Sequence, residues 1–279
     1  MTPTFNALPL NARRFALAAS LALLCGSALA QSPDFKPEVG QAGKDVVWVP
    51  TSQVLVDRML DMAKLTPNDF HMDLGSGDGR TVITAAKRGA RSLGIEYNPD
   101  MVAISQKAAA AAGVTERAQF RKADIFETDF SQANVITLFL LPDLNLRLRP
   151  TILSMKPGTR IVSNSFTMGE WQDDETATVD AKDGCSYWCI AHLWIVPAKI
   201  EGTWKSAQGE MTLGQQFQMV SGTVRTSGAP ATLNGKLRGD DVTLTTPTAS
   251  YRGRVNGDAI EGTVTTGGNT AKWTATRSR

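Results

Sequence analysis

Residues Phe70–Arg80 read F-H-M-D-L-G-S-G-D-G-R, and the organisation of the chain follows from them. An apolar run ends in Asp73, a glycine-rich turn comes next, and Thr81–Arg88 has the apolar spacing of a helix. A strand, a tight loop and a helix start in immediate succession are typical of a nucleotide-type cofactor site. Glycines lack a Cβ and let the backbone approach a ligand, while free N–H groups at a helix start attract a negative group. We therefore predict a cofactor site here.

The spacing of the glycines distinguishes between cofactors. The dinucleotide fingerprint G-x-G-x-x-G, counted from Gly75, requires a third glycine where this chain has Arg80. The pattern D-x-G-x-G-x-G instead resembles motif I of the class I methyltransferases that use S-adenosyl-L-methionine (SAM). SAM has no pyrophosphate and carries positive charge, so acids near the loop attract it. An NAD oxidoreductase is the alternative that Arg80 opposes. The predicted SAM contacts in this loop are Asp73, Gly75, Ser76, Gly77, Asp78 and Gly79.

Two more acids follow the next two predicted strands. Glu96, with Tyr97 after it, ends the second strand, where a carboxylate can accept both ribose hydroxyls. Asp124 ends the third strand, where it can accept the adenine amino group, with Ile125 beside the ring. Each acid alone is equally well explained as a solvated residue at a strand end. Three acids at the carboxyl ends of successive strands, however, lie where open α/β sheets bind ligands.

Strands and helices alternate up to about residue 198. Alternation of this kind predicts a parallel sheet with helices on both faces, here an α/β, Rossmann-like class I methyltransferase sheet. Pro150 is expected to kink or split the last helix. At the start of the first helix, Thr51, with Pro50 before it, either faces the cofactor or only caps the helix. The predicted strands are at 70–73, 93–97, 118–126, 133–141, 159–166 and 192–196, and the predicted helices at 51–65, 81–88, 100–112 and 143–155.

The character of the sequence changes at Lys199. Helix signals stop, and six short alternating segments predict a small antiparallel β domain over 199–279, a sandwich or partial barrel. Residues 233–242 and 251–260 form a weak repeat, with Gly-Asp pairs that suit tight hairpin turns. The domain carries no catalytic pattern, so it binds a partner, caps the methyltransferase domain at 46–198, or stabilises it. Residues 167–184 are polar and are interpreted as a loop or lid.

The first 30 residues have the features of a secretory signal peptide. Arg13 and Arg14 precede an apolar stretch, Phe15–Leu24, that is too short for an ordinary transmembrane helix. Ala28-Leu29-Ala30 fits a cleavage site, which predicts a mature chain from Gln31, exported to the periplasm; an uncleaved membrane anchor is the alternative. Residues 31–45 are polar and predict a linker.

Charge and cysteines agree with an exported protein that does not bind nucleic acid. Without residues 1–30 the 29 basic residues become 27, equal to the 27 acids, and no polybasic run occurs. Cys185 and Cys189 then remain; in an oxidising compartment they can pair across a turn, and two free buried thiols are the alternative. Together with His71 and His192 they match no zinc pattern, so no metal site is predicted.

Five short motifs resemble one family, the bacterial and mitochondrial protein-lysine methyltransferases. They are V-P-T at 49–51, D-L-G-S-G-D-G-R at 73–80, A-A-K-R-G-A at 85–90, G-I-E-Y-N-P at 94–99 and F-L-L-P at 139–142. The family includes an enzyme that modifies the c subunit of ATP synthase and is distantly similar to a histone methyltransferase. The resemblance covers about residues 46–172; the export signal and the β domain are not part of the family pattern.

The resemblance implies roles for particular residues. Asp73, Gly75, Gly77, Glu96 and Asp124 would contact SAM. The mouth where the acceptor enters would be formed by Phe139, Leu140, Leu141 and Pro142, with Trp171 as a further wall and Asp143 as the polar, catalytic group beside it.

The predicted reaction is a direct displacement at the SAM methyl group, with a protein lysine amine as the candidate acceptor. That amine must be neutral, although the pKa of a free lysine is about 10.4, so the site must desolvate it or provide a path for its proton. The alternative function is an exported, non-catalytic protein that binds an adenosyl-type ligand, or a protein partner through its β domain.

Overall fold

The computed structural model describes residues 1–2 and 35–278. The predicted signal peptide, apart from Met1 and Thr2, and its cleavage site at Ala30 lie outside the described residues. The chain divides into a unit Met1–Lys36 and a unit Pro37–Arg279, and both sheets lie in the second unit.

A mixed sheet forms the first part of the described chain, and its strand order is β3-β2-β1-β4-β5-β7-β6. The first five strands are parallel, while β7 runs antiparallel to β5 and β6 antiparallel to β7. The order reverses between β1 and β4, which is where open α/β sheets form a ligand crevice. The strands are β1 (Phe70–Leu74), β2 (Arg91–Glu96), β3 (Ala118–Lys122), β4 (Val135–Leu138), β5 (Arg160–Asn164), β6 (Glu175–Thr178) and β7 (Ile190–Ile195).

The described residues form four α-helices: α1 (Gln53–Met62), α2 (Arg80–Lys87), α3 (Pro99–Ala111) and α4 (Pro142–Leu153). Helix α1 buries an apolar face that includes Leu55 and Met59 and packs on β5 and β7. Helix α4 runs unbroken through Pro150, so the expected split does not occur. The proline lies in the last turn, where few backbone hydrogen bonds remain to be lost.

Three elements of the structure differ in extent from those predicted from the sequence. Strand β3 ends at Lys122, so Asp124 lies in the loop after it. The apolar run at 133–141 is extended only over β4, because the chain turns there towards α4. The predicted loop at 167–184 contains edge strand β6 and a short 3₁₀ helix, Ala181–Asp183, so the prediction of a loop or lid is wrong for these residues.

The C-terminal strands close into an eight-stranded antiparallel barrel rather than a sandwich or partial barrel. The indoles of Trp204 and Trp273 and the ring of Tyr251 are buried in its core. The repeated segments form two hairpins, whose Gly-Asp turns carry positive φ at Gly239 and Gly257. The strands are β8 (Gly202–Ser206), β9 (Gly209–Gln216), β10 (Met219–Arg225), β11 (Ala231–Arg238), β12 (Asp241–Thr245), β13 (Ala249–Asn256), β14 (Ala259–Thr266) and β15 (Asn269–Arg277).

The barrel is joined tightly to the mixed sheet. The ring of Phe217, in the turn between β9 and β10, stacks on Trp171 with centroids 6.1 Å apart. The side chain of Gln218 donates to the carbonyl of Gln172 at 2.7 Å, and Lys236 pairs with Asp174 at 3.0 Å. The connection at 196–198 is itself buried. Within the part of the chain that the structure describes, no helix is long and apolar enough to cross a membrane.

Candidate cofactor and acceptor site

A cleft of about 1050 Å³, counted out to open solvent, lies at the carboxyl ends of the parallel strands. Its floor and walls come from the loops after β1, β2, β3 and β4. Residues 41–51, called the strap from here on, line the cleft along their whole length. The sequence-predicted residues that line the cleft are Thr51, Asp73, Gly75, Ser76, Gly77, Asp78, Glu96, Tyr97, Asp124, Ile125, Phe139 and Leu140.

The glycine loop is shaped by close neighbours. Gly77 has φ +53°, and a Cβ there would lie 2.5 Å from the indole nitrogen of Trp48 in the strap. Gly79, at φ +81°, is the N-cap of α2; a Cβ there would lie 2.7 Å from the ring of Phe120. Gly79 lies outside the cleft lining and permits close packing of the helix start, and its contact with the cofactor stays a prediction.

Arg80 has a role that the glycine count does not reveal. Its guanidinium binds both carboxylate oxygens of Asp78, at 2.6 Å for the shortest contact, and donates to the carbonyl of Thr51 at 2.8 Å. The hydroxyl of Thr51 in turn accepts a hydrogen bond from Asn164 at 3.1 Å. Arg80 therefore ties the glycine loop to the strap, and Thr51 connects both to the end of β5. The capping alternative for Thr51 does not apply, because the N-cap of α1 is Ser52.

Glu96 is held by the backbone on both of its oxygens. One accepts the N–H of Gly77 at 2.9 Å and the other the N–H of Asn98 at 2.8 Å. Because a carboxylate has about four lone-pair sites, two remain for hydroxyl donors. Glu96 is half-buried and lines the cleft, as a carboxylate that binds a ribose diol would. The neighbouring ring of Tyr97 is half-exposed at the cleft wall.

Asp124 is kept ionised by its surroundings. The N–H of Phe126 donates to it at 2.9 Å, and the ammonium of Lys44 in the strap pairs with it at 3.0 Å. The backbone hydrogen bond, followed by the Lys44 contact, lowers the pKa of Asp124 below its ordinary value despite partial burial. The hydrogen bonds of Lys44 to Asp45 and, after it, to Asp124 raise the pKa of Lys44. Ile125 lines the cleft beside this pair.

Asp73 is the opposite case, because it is buried without a cationic partner among the described residues. Burial raises the pKa of Asp73 to about 7, with Asp78 and Glu96 adding to the rise, against the hydroxyl of Thr137, which donates to its carboxylate at 2.5 Å. A group with positive charge in the cleft would restore the ionised form.

A buried hydrogen-bond chain extends from Asp73 across three strands. The Nε2 of His71 lies 2.8 Å from the hydroxyl of Thr137, and its Nδ1 lies 2.6 Å from the hydroxyl of Ser92. Burial lowers the pKa of His71 to about 3, so the imidazole is neutral. Because the proton of Thr137 goes to Asp73, Nε2–H must donate to Thr137, and Nδ1 accepts from Ser92. The chain fixes the Asp73 carboxylate, and no motif in the sequence indicates it.

The strap is folded rather than a linker. Two backbone hydrogen bonds connect its ends. The N–H of Gly40 donates to the carbonyl of Trp48 at 2.8 Å, and the N–H of Trp48 donates to the carbonyl of Gln41 at 2.9 Å. The amide of Gln41 reaches the sulfur of Met101 in α3 at 3.5 Å. The prediction of a linker over 31–45 is therefore wrong for residues 41–45, which cover the cleft.

The predicted acceptor mouth is only partly assembled. Phe139 and Leu140 line the cleft, but Leu141, Pro142 and Asp143 are exposed at the start of α4 and lie outside the lining. Trp171 is fully buried in the joint with the barrel, where its carbonyl accepts from the indole of Trp194 at 2.7 Å. The prediction of Trp171 as a wall is wrong, because a short turn at 168–171 directs the indole inward. Asp143 lies outside the cleft lining, and its catalytic role stays a prediction.

Cys185 and Cys189 form a disulfide with Cα atoms 5.8 Å apart, so the structure has the paired alternative and not the two free thiols. The bond closes a turn that follows the 3₁₀ helix and ends at the start of β7. Across residues 35–278, no group of three or more His, Cys, Asp and Glu side chains is arranged to hold a metal ion.

The cleft fits SAM in shape and charge. The buried hydroxyl of Ser76 in the glycine loop has no hydrogen-bond partner among the described residues, and Asp73 has no counter-charge there. Glu96 and Asp124 present free acceptor sites for a ribose and an adenine amino group. The fold and these residues define a class I SAM-dependent methyltransferase.

Comparisons with known proteins agree with this class. A model of the ANTKMT methyltransferase domain matches residues 73–175. The chain is 41% identical over 138 residues to a protein-lysine N-methyltransferase of Saccharolobus islandicus, covering 48% of this chain and 86% of that protein. The chain belongs to this family of SAM-dependent methyltransferases.

Two further similarities define how far the likeness extends. The chain is 32% identical to the mouse lysine N-methyltransferase of the ATP synthase c subunit, covering 46% of this chain and 52% of that protein. It thus spans about half the length of that relative. A crystal structure of an RNA methyltransferase from Salinibacter ruber in complex with S-adenosyl-L-homocysteine is 44% identical, with a TM-score of 0.50, and the match covers 55% of this chain and 96% of that chain.

Proposed function

We propose that this methyltransferase transfers the methyl group of SAM to a lysine amine of a protein. The observation that carries the proposal is the 41% identity to an archaeal protein-lysine N-methyltransferase over 86% of that relative's length. An identity of this extent supports a common acceptor chemistry, since it goes well beyond the short cofactor loop.

The described residues account for binding and orientation. SAM supplies a methyl group on a sulfonium, which the acceptor nitrogen displaces directly. Asp73, Glu96 and Asp124 hold the positive, ribose and adenine ends of the cofactor, and the strap excludes water above it. The strap and the buried side chain of Leu140, which lies against Gly75, keep water from the inner part of the cleft, and this desolvation disfavours the charged form of an amine and lowers its pKa towards the neutral nucleophile.

An RNA acceptor is the second candidate, because the similar Salinibacter ruber structure is an RNA methyltransferase. The balance of 27 basic and 27 acidic residues outside 1–30 favours protein over RNA. Incubation of the protein with isotope-labelled SAM and, in parallel, poly-L-lysine or total RNA tests both. We expect labelled methyl-lysine after hydrolysis of the polypeptide, and none with the Glu96→Ala variant. Label in the RNA alone would replace the lysine proposal by the second candidate.

We also propose that the protein works outside the cytosol. The apolar segment and cleavage pattern of residues 1–30 and the Cys185–Cys189 disulfide support this location. Because SAM is made in the cytosol, the proposal requires a supply of SAM across the membrane. Cell fractionation with mass measurement of the non-reduced protein tests it: we expect a chain that begins at Gln31. An intact N-terminus in the membrane fraction would show the anchored alternative, and a cytosolic protein with two alkylatable thiols would contradict export.

A further inference from the structure

Three aromatic rings form a cluster at one end of the cofactor cleft. The rings of Phe139 and Phe166 are stacked with centroids 6.1 Å apart. The indole of Trp188 lies 5.3 Å from the centroid of Phe166 and 6.1 Å from that of Phe139. Since Phe139 lines the cleft, the cluster continues the cofactor site outward. It lies on the β4–β5–β7 side, opposite to Asp124, which follows β3.

The cluster is assembled from three separate segments by the strand order. Phe139 follows β4, Phe166 follows β5, and Trp188 precedes β7, which is antiparallel to β5. The N–H of Ser165 donates to the carbonyl of Ile190 at 2.7 Å, and this bond fixes the two segments next to each other. The end of β7 that begins the strand therefore meets the end of β5 that faces the ligand edge of the sheet.

The backbone beside two of the rings has an uncommon conformation. Ser165, which precedes Phe166, has φ +60°, and Trp188 itself has φ +57°. Side chains other than glycine are rare in this region, and such residues concentrate at ligand sites. The Cys185–Cys189 disulfide encloses Trp188 in a five-residue loop whose Cys185 end is buried. The covalent closure holds the indole against the other two rings.

The loop nevertheless presents its rings to solvent. The side chains of Tyr187 and Trp188 are 84% and 48% exposed. An exposed indole tilted against two other rings offers a π face, which attracts ammonium and methylammonium groups within about 6 Å of a ring centroid. Folding alone does not require an exposed aromatic cluster at the end of a cofactor cleft.

We propose that the disulfide-closed loop Cys185–Cys189 is a wall of the acceptor site: Trp188, with Phe139 and Phe166, receives the cationic side chain of a lysine acceptor, and the disulfide positions Trp188 for it. The inference rests on the proposed lysine acceptor. Trp188 is a specificity-determining residue, and the two cysteines act only through it.

Ligand binding tests the ring cluster without any turnover. The protein is labelled with 5-fluorotryptophan, the ¹⁹F resonance of Trp188 is assigned with the Trp188→Phe variant, and the sample is saturated with S-adenosyl-L-homocysteine. We expect N-acetyl-trimethyl-lysine methyl ester to shift this resonance at a concentration about tenfold lower than a neutral analogue with a tert-butyl group in place of the trimethylammonium. Equal shifts by the two ligands, or none, would overturn the inference.

Kinetics test the same residue with poly-L-lysine as acceptor. We expect Trp188→Ala to raise the KM for poly-L-lysine about tenfold. Trp188→Phe keeps an aromatic ring and should have a KM close to that of the wild type, and the Kd of SAM should be unchanged in both variants. Tyr187→Ala is the matched control from the same loop, and we expect the KM of the wild type. If Trp188→Ala keeps that KM, or Tyr187→Ala raises it equally, the ring cluster is not the acceptor wall.

The disulfide has its own test. The Cys185→Ser, Cys189→Ser double variant is expected to show the raised KM of Trp188→Ala at an unchanged Kd for SAM, and an unchanged KM would remove the positioning role of the bond. Treatment with a dithiol, which is oxidised as the two sulfur atoms take up two electrons and two protons, should reproduce the effect in the wild type. If the wild type does not methylate poly-L-lysine at all, the proposed function fails, and the ¹⁹F titration still decides whether the rings bind a cation.

Discussion

Two carboxylates of the cleft show how position, rather than residue type, sets charge. Asp124 has a backbone donor and the Lys44 ammonium beside it, and its pKa is lowered. Asp73 is buried, with one hydroxyl donor and two acids nearby, and its pKa is raised to about 7. Asp73 therefore favours a ligand that places positive charge beside the glycine loop, and SAM carries such a charge. The sequence pattern predicts both acids at strand ends but carries no information on their partners.

The Asp73→Asn variant should be more stable than the wild type at pH 8 and bind SAM less tightly. The pKa of Asp73 in the folded chain, about 7, exceeds the ordinary 3.8, so the folded state holds more protons between these values and the free energy of unfolding falls as pH rises through that window. Asparagine does not ionise, so the variant does not lose unfolding free energy in this way as pH rises. Melting temperatures at pH 5 and pH 8 check it: we expect a gain for the variant at pH 8 that shrinks at pH 5. A gain of equal size at both pH values would contradict the raised pKa.

Replacing Glu96 by alanine should weaken SAM binding by a factor of about 100, since two hydrogen bonds to a charged acceptor are lost, each contributing about 1.5 kcal/mol or more. Isothermal titration calorimetry measures this Kd. Glu127→Ala, at an exposed glutamate in the loop after β3, is the control and should bind SAM as the wild type does. Unchanged affinity of Glu96→Ala with an intact fold would refute the assignment of the ribose site.

At the level of elements, the strap is the part of the site that sequence reasoning misses. Its residues are polar or extended in pattern and carry no periodicity, so the pattern over 31–45 predicts a linker. Their structure depends on partners that are distant in sequence. Trp48 packs against Gly77, Lys44 pairs with Asp124, and the carbonyl of Thr51 accepts a hydrogen bond from Arg80. In contrast, neighbouring residues specify the strand–loop–helix around Gly75 and the two hairpins of the barrel, and these elements can be predicted from sequence.

Trp48→Ala should raise the Kd of SAM about tenfold, because the indole packs against the backbone of the glycine loop and closes the cleft from above. The comparison is Val39→Ala, at a residue just before the strap whose side chain is exposed and lies outside the cleft lining. Calorimetric titration of both variants with SAM measures the effect. Equal affinities of the two variants would show that the strap does not hold the cofactor.

For the whole molecule, the joint between sheet and barrel determines cooperativity. The stack of Phe217 on Trp171 and the bond from Gln218 to Gln172 connect two cores that the sequence pattern separates at residue 198. The division in fold type can be predicted, because helix periodicity stops there. The tight joint cannot be predicted from sequence. It is formed by Phe217, in a turn of the barrel, and by Trp171, which the sequence analysis places at the acceptor mouth.

Phe217→Ala is expected to destabilise the protein by about 2 kcal/mol, less than the cost of about 3–5 kcal/mol for a fully buried phenylalanine, because the ring is only partly buried. Differential scanning calorimetry should show a single transition in the wild type, at a lower temperature in the variant, with the SAM affinity retained. The control is Met219→Ala, two residues away and half-exposed. Two separate transitions in the wild type would mean that the cores unfold independently.

The cleft has two ends, one at Lys44 and Asp124 after β3 and one at the aromatic cluster beside β5 and β7. With the acceptor at the aromatic cluster, as proposed above, this separation would let spent cofactor leave beside Lys44 and Asp124 while the other end stays filled. An amine held there need not be released between rounds, so successive methyl groups can be added in a single encounter. We expect processive methylation, in which di- and trimethylated amines accumulate early, while most acceptor molecules are still unmodified. A distributive enzyme would pass first through a pool of monomethylated acceptor.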